Sequence, residues 1–138
     1  MTMAALNSQI AHVQNSLYVM TSQLGRNEEA FERLKQAHSQ LVAYREEFIT
    51  HKARCLKPEL STRTWFGQKA DDFDTFRTHD LQESYASIID RQLDDAIERL
   101  ERHMNTMRQS IDQLRTEIAS SQAKLDRLYV QRRKGALS

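Results

Sequence analysis

Two long runs of apolar residues, advancing by threes and fours, constrain this chain more than any other feature. In the first, Leu6, Ile10, Val13, Leu17, Met20, Leu24, Phe31, Leu34, Leu41 and Phe48 hold one stripe. Such steps stack side chains on one face of an α-helix, whereas a half-buried strand requires alternation. Asn27 is a polar intrusion in the stripe, and after Leu34 the register wavers, Ala37 and Tyr44 sharing it with His38 and Arg45. The spacing predicts one helix from about residue 4 to about residue 55, on the order of 75 Å long at 1.5 Å per residue. Gly25 falls inside that helix and costs about 1 kcal/mol relative to alanine without requiring a break.

The second run comprises Leu81, Tyr85, Ile88 and Ile89, Leu93, Ile97, Leu100, Met104, Met107, Ile111, Leu114, Ile118, Leu125 and Leu128. From Leu93 onward its steps alternate four and three, with the polar Ser121 where a core residue would fall. A helix from about 68 to about 133 is expected, with Gly135 as its C-terminal stop. Between the runs lies a segment of about residues 56–67. Pro58 lacks an amide hydrogen and biases Lys57 away from helical geometry, so the first helix should end before it. Ser61, Thr62 and Thr64 are candidate N-caps for the next helix. Only three glycines and one proline punctuate the whole chain, which favours long helices over strands and turns.

The fold class expected is therefore all-α: a single domain built as a long antiparallel two-helix hairpin. A hairpin covers only part of each stripe, so burial should be completed by another helical hairpin, giving a four-helix assembly. The seam of the second helix, with Leu93, Ile97, Leu100, Met104, Met107, Ile111 and Leu114, is the expected protein-binding surface. A polar residue within a seam, as Asn27 and Ser121 are, either fixes register and partner choice or lies at an exposed edge.

Charge and site chemistry narrow the function classes. The 20 basic and 19 acidic residues are interspersed, for a net charge of +1. Nucleic-acid binding calls for a basic face, and only Arg132-Arg133-Lys134 resembles one; cations there suit the end of a helix dipole. No apolar run approaches the ~20 residues of a membrane span. The N-terminal residues lack a basic segment followed by an apolar one, so no ordinary signal peptide is expected, and the lone Cys55 fits a reducing cytosol. His51 and Cys55, four apart, make at most half of a metal site. Asp71, Asp72 and Asp74 lack the glycine and terminal glutamate of a calcium loop. His79 and Asp80 beside Arg77 have no nucleophile to serve. No catalytic residue, metal or cofactor is expected, and the chain reads as an interaction protein.

The connecting segment carries the only tryptophan. Trp65-Phe66-Gly67, followed by Ala70 and Phe73, reads as an aromatic plug at the hairpin tip, where tryptophan also suits a binding hot spot. A Trp-x-Gly turn between two long amphipathic helices resembles the WXG superfamily of type VII (ESX) secretion. The pattern Trp65-Phe-Gly67-Gln-Lys-Ala70-Asp-Asp-Phe73-Asp is most similar to the longer Gram-positive members encoded beside LXG-domain toxins. The resemblance covers the hairpin in pattern and about Trp65 to Phe73 in residue identity. It implies binding to the helical N-terminal region of an LXG-type toxin, or to another small WXG-like hairpin, and delivery to the secretion machinery. It further implies a cytoplasmic protein, exported at most with its partner. The chain departs from the family in its greater length. It also departs at Tyr129-Val-Gln-Arg-Arg133, where a basic residue replaces the acid of the Tyr-x-x-x-Asp/Glu export signal. This favours a member that escorts another substrate. Phe76-Arg-Thr-His-Asp80 repeats the spacing with Phe in place of Tyr, but sits near the turn, where coincidence accounts for it. The alternative of another class is a self-associating coiled-coil structural protein, homodimerising through the uncovered stripes.

Overall fold

The structure is a computed structural model and describes residues 2–52, 54 and 67–137. Among these no strand occurs; the fold is all-α, with two long helical stretches forming a hairpin. Helix α1 spans Met3–Lys52. The second stretch runs through α2 (Gln68–Thr75), a π-helical segment Phe76–Leu81, α3 (Gln82–Ser87), a second π segment Ile88–Leu93, and α4 (Asp94–Leu137). At each of these junctions the backbone stays right-handed helical. No helix among the described residues is long and apolar enough to cross a membrane.

Both stretches begin with identifiable caps. The Thr2 hydroxyl accepts from the Ala5 amide at 3.1 Å, satisfying a donor that the first turn of α1 cannot pair internally. Gly67 is the N-cap of α2, with φ 104° and ψ −175°. That region is essentially closed to residues with a Cβ, and its carbonyl accepts from the Asp71 amide at 3.0 Å. The entry to α2 thus uses the backbone freedom of Gly67 and no side-chain acceptor; the expected caps Ser61, Thr62 and Thr64 lie outside the described residues. Asp71 in the first turn suits the helix dipole. At the other end, the expected stop at Gly135 does not occur, and α4 continues to Leu137. A Cβ at Gly135 would lie 3.3 Å from the Met3 side-chain tip, so packing against α1 offsets the propensity cost of a helical glycine. Pro58 and the expected turn lie outside the described residues.

The chain forms two compact units: Met1–Arg33 with Met104–Ser138, and Leu34–His103. In the first, Leu6, Ile10 and Val13 of α1 pack with Leu125 and Leu128 of α4, and Leu17 and Tyr129 lean on this cluster. The numbering runs in opposite directions, as an antiparallel pair requires. Ile111 is buried in the same unit. In the second, the buried residues are Ala70, Ile89 and, with them, Arg77, while the Phe48 and Tyr85 rings meet at 5.4 Å.

The π segments follow from the apolar spacing. Arg77, Leu81, Tyr85, Ile89, Leu93 and Ile97 advance only by fours. Five turns of α-helix hold about 18 residues, about two fewer than this run contains. A regular helix would carry the stripe away from its partner; one residue inserted at each of two wider turns returns it. The steps Arg77–Leu81 and Ile89–Leu93 fall within the two π segments.

Two glycine substitutions separate backbone geometry from propensity. Gly67→Ala should lower stability by about 1–3 kcal/mol, although no atom lies within 4 Å of the added Cβ. Gly25→Ala, equally unobstructed but within α1, should raise stability by about 1 kcal/mol. Urea denaturation followed by circular dichroism reads both, and equal effects at the two sites would contradict the assigned Gly67 backbone.

Candidate protein-binding site

Full burial of the α1 stripe ends at Val13. In the first unit Leu17, Met20, Leu24 and Phe31 are half-buried, as are Leu34, Leu41 and Phe48 in the second. The facing seam behaves alike: Leu93, Ile97 and Leu100 in the second unit, and Met104, Met107 and Leu114 in the first, are half-buried. Ile111, expected among the binding residues, is 6% exposed and packs within the chain. A fully buried Leu or Met contributes roughly 1.5–3 kcal/mol, so a half-covered one leaves about 1 kcal/mol for a partner to recover.

Of the seam's polar positions, Asn27 is satisfied locally. Asn27 is half-buried and accepts from Gln23 Nε2 at 2.7 Å within its own helix; Ser121 is half-buried. His38 and Arg45 occupy core-line positions of α1, are half-buried, and each reaches an acid of α4. His38 Nε2 lies 3.0 Å from Glu101 Oε1, and Arg45 Nε donates to Asp94 Oδ1 at 2.7 Å. In the first unit Arg115 reaches Glu28 at 3.1 Å, the Arg108 guanidinium lies 5.4 Å from the Phe31 ring centroid, and Gln14 donates to the Tyr129 hydroxyl at 2.6 Å. Tyr129, the tyrosine of the incomplete export-signal pattern, also sits 5.1 Å from the Arg132 guanidinium. These exposed pairs are each worth less than about 1 kcal/mol and set register more than stability.

Of the expected tip residues, Trp65 and Phe66 lie outside the described residues. Gly67 is the exposed N-cap, and Phe73 is 42% exposed with the Arg77 guanidinium 5.2 Å from its ring. Phe76, one turn on, is 46% exposed. Arg77 is the residue that sequence reasoning missed. It is 3% exposed and donates to Asp74 Oδ1 at 2.7 Å. Its place in the steps-of-four run was the available signal, since it occupies the position of a core residue.

A family model described as YwqH-like matches residues 5–129, nearly the whole chain and both units. The chain belongs to the YwqH-like family. Protein YwqH of Bacillus subtilis (strain 168) is 39% identical over 70 residues, which cover 51% of this chain and 47% of that protein. The matched stretch thus spans about half the length of the curated relative. No solved structure matches the chain.

Within this YwqH-like hairpin, Arg77 of the first π segment is buried and bonds Asp74 of α2, one turn before it. Arg77→Ala should destabilise the second unit by about 1–3 kcal/mol through lost packing of its buried side chain, the exposed Asp74 carboxylate being left to water. Hydrogen exchange should then speed up between residues 68 and 93 more than in α4. A change below about 0.5 kcal/mol, as for a surface residue, would show that the buried guanidinium carries no structural weight.

Proposed function

We propose that this YwqH-like protein is a non-catalytic adaptor of type VII secretion. It binds the helical N-terminal region of an LXG-type toxin and escorts it to the secretion machinery. The observation that carries this reading is the apolar seam left half-covered in both units from Leu17 to Phe48 and from Leu93 to Leu114, Ile111 excepted. A helical partner gains by covering it, whereas the grooves seen among the described residues are open and would not enclose a small molecule. Family membership supports a role shared with other YwqH-like proteins. The resemblance of the Trp65–Phe73 segment to WXG turns supports the link to secretion.

In this reading the labour is divided. The seam supplies affinity, with about 1 kcal/mol gained at each newly covered position set against the cost of association. The tip at Trp65 and Gly67 engages the machinery. The experiment is to tag the chain in its native host and identify what co-purifies. A stoichiometric larger protein with a helical N-terminal region and a separate toxin domain is the expected result. Trp65→Ala should leave that complex intact and reduce toxin export. Recovery of the chain alone, as a stable oligomer, would replace the adaptor with a self-associating coiled coil.

A further inference from the structure

In the second unit the two flanks of the α4 seam are dressed differently. The residues directly after Leu93 and Leu100 are Asp94 and Glu101, and both are tied across to α1 through Arg45 and His38. The residues at steps of four and three on the other flank, Gln92, Ala96 and Arg99, share the opposite edge of the seam. On that edge an open groove is lined by Leu41, Ala96 and Leu100, with Arg91, Asp95 and Arg99 at its margin. The three apolar residues are half-buried and the three charged ones exposed. Among the described residues neither Arg91 nor Arg99 has an ion pair. The margin therefore carries two cations against one anion.

We propose that this groove is the docking site for one amphipathic helix bearing carboxylates on one flank. The proposal rests on the adaptor reading and names the edge of the hairpin that the toxin's helical region takes. The apolar ridge of that helix lies over Leu41, Ala96 and Leu100. The small Ala96 side chain permits close axial approach, since interaxial distance is set by the residues at the crossing. Arg91 and Arg99 stand two turns apart, about 12 Å along the axis. They meet carboxylates at matching spacing on the incoming helix, which must also avoid placing an acid opposite Asp95. The other edge, already bridged by His38–Glu101 and Arg45–Asp94, offers an incoming helix polar groups that are paired.

The test uses the full chain and the helical N-terminal region of an LXG-type toxin from the same host, with association measured by surface plasmon resonance. Arg91→Glu with Arg99→Glu should slow association about tenfold at low salt, with the loss shrinking as salt rises. Ala96→Trp, which fills the groove floor, should weaken binding by about tenfold or more through faster dissociation. Val42→Glu is the control: Val42 is 37% exposed and lies with His38 and Arg45 on the bridged side of α1. It should change affinity less than about twofold, in line with near-neutral contacts outside a hot spot. Unchanged helicity and Tm show that each variant is folded, and a carboxylate-to-arginine change in the toxin helix should rescue the double reversal. Binding lost in Val42→Glu but kept in the groove variants overturns the assigned edge and leaves the adaptor standing. Absence of any complex with the unaltered chain overturns both. A homodimer disrupted by the groove variants would assign the groove to a second copy of this chain and overturn the proposed occupant.

Discussion

A pair of helices has a single seam, and one neighbouring helix encloses only part of the residues along it. The rest of this structure is arranged around that shortage of cover. Dense burial is achieved where α1 begins and α4 ends, with Leu6, Ile10 and Val13 against Leu125 and Leu128. Elsewhere the stripe is only half-buried, apart from Ile111 in the first unit and Ile89 in the second. Thr2, Gly67 and the Met3–Gly135 approach are devices at helix ends. They add stability where fraying would otherwise begin. What they do not do is cover the seam, and the uncovered part is where a partner's contribution would fall.

The regular part of this arrangement was legible in the sequence. Alternating steps of four and three from Leu93 specified both the helix and its buried face, and α4 follows them. The expected ends were less secure because a glycine carries opposite meanings in different surroundings. Gly135 has the residue type of a stop, yet it lies where Met3 approaches, and the helix continues. Gly67 has no side chain with which to cap, yet its backbone takes a region that the hydroxyl-bearing candidates upstream could not enter without strain. In both cases tertiary or backbone geometry overrode a preference counted residue by residue. The assigned tip residues Trp65 and Phe66 lie outside the described residues, so the legible site consists of the seam positions.

The π segments show what a stripe contains beyond the fact of being helical. Leu81, Tyr85, Ile89, Leu93 and Ile97 were readable as one apolar face. Their uniform steps of four also encoded how the helix must be wound, since no regular α-helix holds that spacing on one line over four successive steps. Completing the series backward reaches Arg77. A charged residue there looks like a break in the pattern, whereas its stem fills a core position and its head bonds Asp74. Wider turns and a buried guanidinium thus share one origin. The segment keeps its face toward the hairpin despite carrying more residues than the turns would ordinarily hold.

The flanks of the seam determine what kind of cover can be added. Along α4 the residue after every second core position is Asp94, Glu101, Arg108, Arg115, Gln122 or Tyr129; all but Gln122, which bonds Asp126 of its own helix, contact α1. Sequence periodicity marks these positions, but not which of them reach across, because that depends on the register of the opposite helix. His38 and Arg45 illustrate the point. As members of the α1 stripe they look like defects in a core, and only the acids opposite make them links. Their effect is directional: by satisfying polar groups on one flank they leave the Ala96 side as the flank where apolar floor and unpaired charge coincide. A helix approaching the bridged flank would displace existing pairs for little gain, since exposed ion pairs are nearly neutral in either arrangement. One approaching the Ala96 flank covers Leu41 and Leu100 and meets Arg91 and Arg99 with its own acids. Affinity then comes from the seam, while the choice of edge and of partner charge comes from the arginines beside it.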